Sequence, residues 1–462
     1  MAASYVSLAG LLRKDKRVLD LLLRDNEQLL CRNERSGKTR KMLIRALHDH
    51  DSAFWAAGTG WKYYVSADVA AAMLERLHPG EAIRQPQAAE APQARGLPGP
   101  NYGEEYLRIQ GMPAARRAQL LSGHAERLRG LASDPDSPRE RTIEALVDSS
   151  RDAGLVNKAT LEEAAGMADA EARVHARGTV GATWDVVRAV AAVELEELLK
   201  DELFGEVVQK SNGTVVQHMT RVFVTGLAML RYYNDQVSRA NLAARIRVQF
   251  PRKYRQFYRA LLPHLAEEQL TLERVFLGGV RALSDDELHD FAVGFLLHDI
   301  GKVADIEYHE GEEEYDREKV AQHVRSGYRS VMEKSDYPRE AALITGYHHE
   351  YYNDPAGYGY FRALLSRYKE ANPQATIDYA MAYDMEAIID YRALSFFPAK
   401  MLEIVDVYDA LTDPNRRYRL PLSPHDALST MSEQFIQSSR RLDPILFDAF
   451  VVFIYTGAAE ER

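Results

Sequence analysis

The sequence predicts a mainly α protein, with an all-helical C-terminal bundle preceded by a helical N-terminal region. Apolar residues recur at helical spacing through most of the chain. Prolines and glycines fall at the edges of those stretches, where helices start and stop. Only WKYYVS at 61–66 reads as a short strand.

In chain order, the first helix is expected over about 6–30, where Leu8, Leu11, Leu12, Val18, Leu22 and Leu29 are part of a broad apolar stripe. The triplet Gly37-Lys38-Thr39 lacks the upstream glycine of a phosphate loop, since Arg32 stands there. His48-Asp49 has no further motif near it and reads as structural. After the 61–66 strand, residues 68–77 return to helix, so residues 1–84 are expected to be mostly helical. Residues 85–105, beginning QPQAAEAPQARGLPGPNY, hold almost no large apolar side chains and read as a linker. Residues 106–190 are helical, broken at DPDSP (134–138) and RGTVGAT (177–183). They read as a separate regulatory or dimerisation region, which would make the protein a homodimer.

From Val215 the pattern becomes a long apolar helix, VVQHMTRVFVTGLAMLRYY, with His218 between Val215 and Val222 on its inner side. Residues 235–285 carry Arg239, Arg245, Arg247, Arg252, Lys253, Arg255 and Arg259 among Phe250, Tyr254, Phe257 and Tyr258. That pattern reads as an amphipathic helix with a solvated basic side and an aromatic core side. Asp286–Asp299 is a helix stopped by Gly301, which leaves its last residues where backbone and solvent meet. Further helices carry His323, then His348 after Pro338. Another follows Pro398, with Asp406 among Met401, Ile404 and Val405. The last ~45 residues close the core as helix.

The chain has 462 residues, 46% hydrophobic and 27% charged, ordinary for a globular protein of about two to four domains. A formal charge of −10 argues against a general nucleic-acid binder. It leaves room for a small anionic substrate, because metals and arginines set the field inside a pocket. The single cysteine, Cys31, forms no intrachain disulfide and fits a cytoplasmic setting. No apolar run of ~18 residues predicts a membrane span. The N-terminal MAASYVSLAGLLRKDKR places its charges after its apolar piece, the wrong order for a secretory signal.

The chemistry lies in four pieces: HDIGK at 298–302, HVRSG at 323–327, HHE at 348–350 and DVYDALT at 406–412. Imidazoles and carboxylates beside apolar helical segments suit divalent manganese, iron or zinc. Buried without a cation, such groups would be poorly satisfied.

At these residues the chain, over roughly 191–455, resembles the HD-GYP subgroup of the HD-domain metal-dependent phosphohydrolases. The resemblance implies an HD-type helical bundle and hydrolysis of cyclic di-GMP to pGpG or GMP. The cofactors it implies are divalent metal ions, commonly iron or manganese. His218 resembles the first helix histidine and, with His298 and Asp406, would hold one metal. His323, His348 and His349 match the imidazoles of the second, and Asp299 the carboxylate bridging both. Lys302 matches the lysine on the scissile phosphate.

Departures from the family pattern bear on substrate and metal count. The name-giving loop reads Gly357-Tyr358-Gly359, without its proline; Gly357 and Tyr358 would still shape the guanine or ribose side of the pocket. After DALT the chain reads Arg416-Arg417-Tyr418, with Arg416 a substrate contact. The segment between His218 and His298 is longer than usual. Thr214 stands where trimetal members carry a glutamate, so two metals are expected rather than three. Two metals ~3.5–4 Å apart would share a bridging hydroxide in line with the phosphorus. The altered loop also motivates a phosphohydrolase for another cyclic dinucleotide or nucleotide, and a non-catalytic cyclic di-GMP receptor is the third expectation.

Overall fold

The computed structural model describes residues 5–8, 17–25, 28–33, 39–43, 61–77, 103–134, 136–199, 202–210, 214–261, 266–275, 280–302, 317–352, 397–413 and 421–458. The protein is mainly α. It divides into two compact units, residues 1–97 with 417–420, and residues 98–416 with 421–462.

The first unit corrects the expectation of a mostly helical N-terminus. Its strands β1 (Tyr5–Ser7), β2 (Gln28–Asn33), β3 (Thr39–Leu43) and β4 (Trp61–Ser66) form an antiparallel sheet in the order β1-β4-β2-β3. Cys31 pairs with Tyr63 on one side and Arg40 on the other. Among the described residues of the expected 6–30 helix, α1 (Arg17–Asp25) is helical, whereas Leu29, placed on its stripe, sits in β2. Strand pairing with distant β3 and β4 overrides the local leucine spacing there. α2 (Ala67–Leu77) follows β4. Leu8, Val18, Leu22, Leu29, Val65, Ala70 and Met73 make its core. The Gly37-Lys38 pair, His48-Asp49 and the linker stretch 85–102 lie outside the described residues.

The second unit is helical throughout its described residues. It begins with α3 (Gly103–Gln110), α4 (Ala114–Ala132), α5 (Arg139–Ala164) and α6 (Asp169–Ala191). Short α7 (Leu195–Leu199) and α8 (Glu202–Gln209) lead to α9 (Thr214–Arg239). α10 (Leu242–Gln249), α11 (Arg255–Leu261) and α12 (Leu272–Val275) follow. Then come α13 (Asp285–Leu297), α14 (Arg317–Lys334), α15 (Arg339–Tyr347) and α16 (Phe397–Thr412). α17 (Pro424–Thr430) and α18 (Pro444–Ala458) end it. Local signals fix the starts: Ser284 caps α13 and forms a reciprocal capping box with Glu287.

No boundary appears near residue 190. One hydrophobic core runs from Tyr106 to Phe453 and includes the helices expected to form a separate regulatory region. α5 is its centre: residues 152–161 are buried without interruption, and the helix packs on α3, α4, α6, α8, α9, α13 and α14. Two of its buried polar side chains, Asn157 and Thr160, find partners on neighbouring elements. Asn157 donates to Thr183 at 2.8 Å and accepts from the Tyr337 hydroxyl at 2.5 Å, and Thr160 meets Thr179 at 3.1 Å.

The basic and aromatic stretch 239–259 is amphipathic, as its pattern predicts. Phe250, Tyr254 and Tyr258 are buried, with Phe250 and Tyr258 stacked at 5.8 Å. Arg247, Arg255 and Lys253 pair at the surface with Glu273, Glu267 and Asp448. The rings face the core, so they offer no stacking platform for nucleic-acid bases. No helix among the described residues is long and apolar enough to cross a membrane.

Candidate metal centre

Five structural positions of the second unit converge. α9 supplies His218, and the turn closing α13 supplies His298, Asp299 and Lys302. α14 supplies His323, the end of α15 His348 and His349, and α16 Asp406. All seven predicted metal ligands are buried.

They fall into two groups, His218 with His298 and Asp406, and Asp299 with His323, His348 and His349. Within each, one ligand atom per residue lies within 4.8 Å of the others. Asp299 straddles the groups. Its Oδ2 lies 3.4 Å from His218 Nε2 and 3.5 Å from His298 Nε2, while its Oδ1 lies 3.2 Å from His323 Nε2 and 3.6 Å from His348 Nε2. His218 Nε2 is 3.0 Å from Asp406 Oδ1. His349 Nδ1 is 3.9 Å from Asp406 Oδ2. Lys302 Nζ pairs with Asp299 Oδ2.

Ring nitrogens on the far side set the tautomers. His298 Nδ1 lies 2.8 Å from the Phe295 carbonyl, and His348 Nδ1 lies 2.8 Å from the Thr345 carbonyl. A carbonyl only accepts, so each Nδ1 carries a proton and, in the neutral ring, each Nε2 presents a lone pair to the cluster. His298 Nε2 and Asp299 Oδ1 are buried with no hydrogen-bond partner. Buried polar atoms without partners are what a metal-accepting donor set leaves when no cation is present.

Electrostatics favour positive charge at one end. Burial opposes a charged His218, but Asp299, Asp406 and Asp409 outweigh it and raise its pKa to about 10. Burial pushes Asp299 upward, yet Lys302, His298 and His218 hold it well below the usual carboxylate range. Asp406 is likewise held low, by His218 and His349 against burial. Burial depresses His323 to about 4 and also lowers His348 and His349, which keeps these rings neutral.

Close packing fixes the turn that carries the ligands. A Cβ on Gly301 would fall on the His323 carbonyl oxygen and the Gly327 nitrogen, so glycine is required for α13 to approach α14. Ser326 Oγ donates to the Gly301 carbonyl at 3.1 Å.

Sequence reasoning missed several supporting groups. Asp409, one turn beyond Asp406, accepts from His218 Nδ1 at 2.7 Å and is clamped by Arg221 at 2.5 Å and 3.0 Å; Arg221 also pairs with Asp413 at 2.9 Å. The three-residue spacings His218–Arg221 and Asp406–Asp409 were the available signals. Buried Lys400 donates to the Glu350 carbonyl and pairs with Glu403 at 3.0 Å. Glu403 has one carboxylate oxygen without a partner, and burial, against Lys400, pushes it up to about 8. Gly357, Tyr358 and Arg416, the expected substrate contacts, lie outside the described residues. Thr214 opens α9.

Compared with protein-family models, with curated proteins and with solved structures, the chain gives no match.

Proposed function

We propose that this chain is a cytosolic metal-dependent phosphodiesterase that hydrolyses cyclic di-GMP to pGpG or GMP. The observation that carries the reading is Asp299, whose two oxygens face two separate sets of metal-type ligands. His218, His298 and Asp406 would hold one divalent cation, and His323, His348 and His349 the other. Manganese or iron suits these donors, two ions rather than three. When bound, such ions supply Lewis acidity and an acidified water for attack on phosphorus.

The remaining work belongs to the chain's own side chains. His298 and His348 use their Nδ1 protons on backbone carbonyls, which orients each ring and leaves Nε2 as donor. Asp409, clamped by Arg221, does the same for His218. Lys302, paired with Asp299, would offset the charge that phosphoryl oxygens gain in the reaction. The buried surroundings weaken screening of that charge.

The test is product analysis with the purified full-length chain loaded with manganese or iron. Cyclic di-GMP, other cyclic dinucleotides and nucleotide monoesters are compared. Linear pGpG or GMP is expected, and D299A abolishes turnover. Preference for another nucleotide would retain the chemistry and replace the substrate. Tight binding with no product would make the protein a receptor.

A further inference from the structure

The geometry points to Lys158, on the central helix α5, as a positioning residue that pins the turn carrying His298, Asp299 and Lys302. It rests on the metal-centre reading above and extends it to a part of the chain that carries none of the proposed ligands.

Lys158 lies 142 residues from Ile300 and 144 from Lys302 in sequence, yet its Nζ donates to the carbonyls of both, at 3.0 Å and 2.6 Å. It also pairs with Glu162, one turn along α5, at 2.9 Å. An ammonium has three protons, and here they meet two carbonyls and one carboxylate. The residue is 3% exposed, so the arrangement is insulated from water.

The position has a local physical reason. α13 ends at Leu297, and a helix C-terminus leaves carbonyls without intrahelical partners and with partial negative charge. The chain then turns tightly, with Ile300 N–H donating to Leu297 and Lys302 N–H to Asp299 at 2.9 Å each. Lys158 supplies a cation and donors to this end from one side. Gly301 is pressed onto α14 from the other. Lys302 is held by its backbone to Lys158 and by its side chain to Asp299. A displaced turn would carry the bridging carboxylate and the substrate-facing lysine away together.

The anchor extends further back. Glu162, which holds Lys158, also accepts from the Tyr106 hydroxyl on α3. Arg117 on α4 ties the neighbouring Glu163 to the Ile109 and Gln110 carbonyls at the end of α3. A continuous polar path therefore runs from the first helix of this unit to the metal centre.

The test uses the full-length chain and Mn2+ alone, read by electron paramagnetic resonance and calorimetry, with circular dichroism reporting folding. K158M keeps the aliphatic stem and removes the donors. K158R keeps charge and donors but replaces the compact ammonium with a planar fork. K158M is expected to fold and to bind Mn2+ about 10- to 100-fold more weakly, the range for lost supporting contacts around metal ligands. K158R is expected to recover part of that loss. A lower Tm for K158M with unchanged Mn2+ affinity would make Lys158 merely structural and overturn the inference. If K158M does not fold, K158Q, which removes the charge and shortens the reach to the two carbonyls, decides: affinity equal to the unsubstituted protein overturns it, and weakened affinity in a folded protein supports it. Failure of the unsubstituted chain to bind Mn2+ would instead sink the metal-centre reading itself.

Discussion

His298 and His348 share one local device, a ring nitrogen bonded to the carbonyl three residues earlier. The helix end thereby orients its own ligand, and no distant partner is needed. This is why both ligands were legible in the HD and HH dipeptides, whereas their supports were not. Asp409 shares the DVYDALT motif with Asp406, but only the fold reveals that it takes the far nitrogen of His218. At this scale Glu403 gives a pH prediction. Its ordinary value of 4.5 rises to about 8 in the folded chain through burial, against Lys400. The folded state therefore keeps a proton that the unfolded chain has lost. The associated stability is complete below pH 4.5 and drains away as pH rises to about 8. Thermal unfolding with chelator present should show E403Q gaining Tm relative to the unsubstituted protein across that interval, with the gap levelling above it. A gap that stays constant with pH would refute the assignment.

Elements meet most tightly where α13 closes against α14. G301A is expected to cost about 2–3 kcal/mol in denaturant unfolding, because backbone cannot yield as a side-chain tip can. It should weaken Mn2+ binding as well. G123A, in α4 with nothing near its added methyl, should instead stabilise by about 0.5–1 kcal/mol. Equal effects of the two would show that the turn is not tightly packed. The same scale explains where sequence reading succeeded and failed. Gly301 and Ser284 signal locally, by stopping and capping a helix. The strand β2 does not, because Leu29 and Leu30 fit a helical stripe as well as a strand, and partners at residues 39–43 and 61–66 decide between them. Lys158 was equally silent, since a lone lysine in a helix that also carries exposed arginines and glutamates signals nothing until its carbonyl partners are brought to it.

Over the whole molecule, the correction with most consequence is the missing boundary near residue 190. The helices of 106–190 looked detachable because they carry no catalytic residue types in a recognisable order. Their apolar faces close on α9 and α13, which carry ligands of the candidate metal centre. A chain starting at residue 98 is therefore expected to fold cooperatively and bind Mn2+. One starting at residue 191, deprived of α5, should be insoluble or lack cooperative melting. A well-folded, metal-binding product from residue 191 would restore the separate-region view.

Continuous burial of the middle of α5 has a kinetic corollary. The amide hydrogens of residues 152–161 can reach solvent deuterium only when the whole helical unit opens, so their exchange times gauge its global unfolding equilibrium. A cation that binds only the closed form slows that opening by mass action. Saturating manganese should thus lengthen exchange in a helix that contributes no proposed ligand, and by the same factor as in the slowest amides of the ligand-bearing helices.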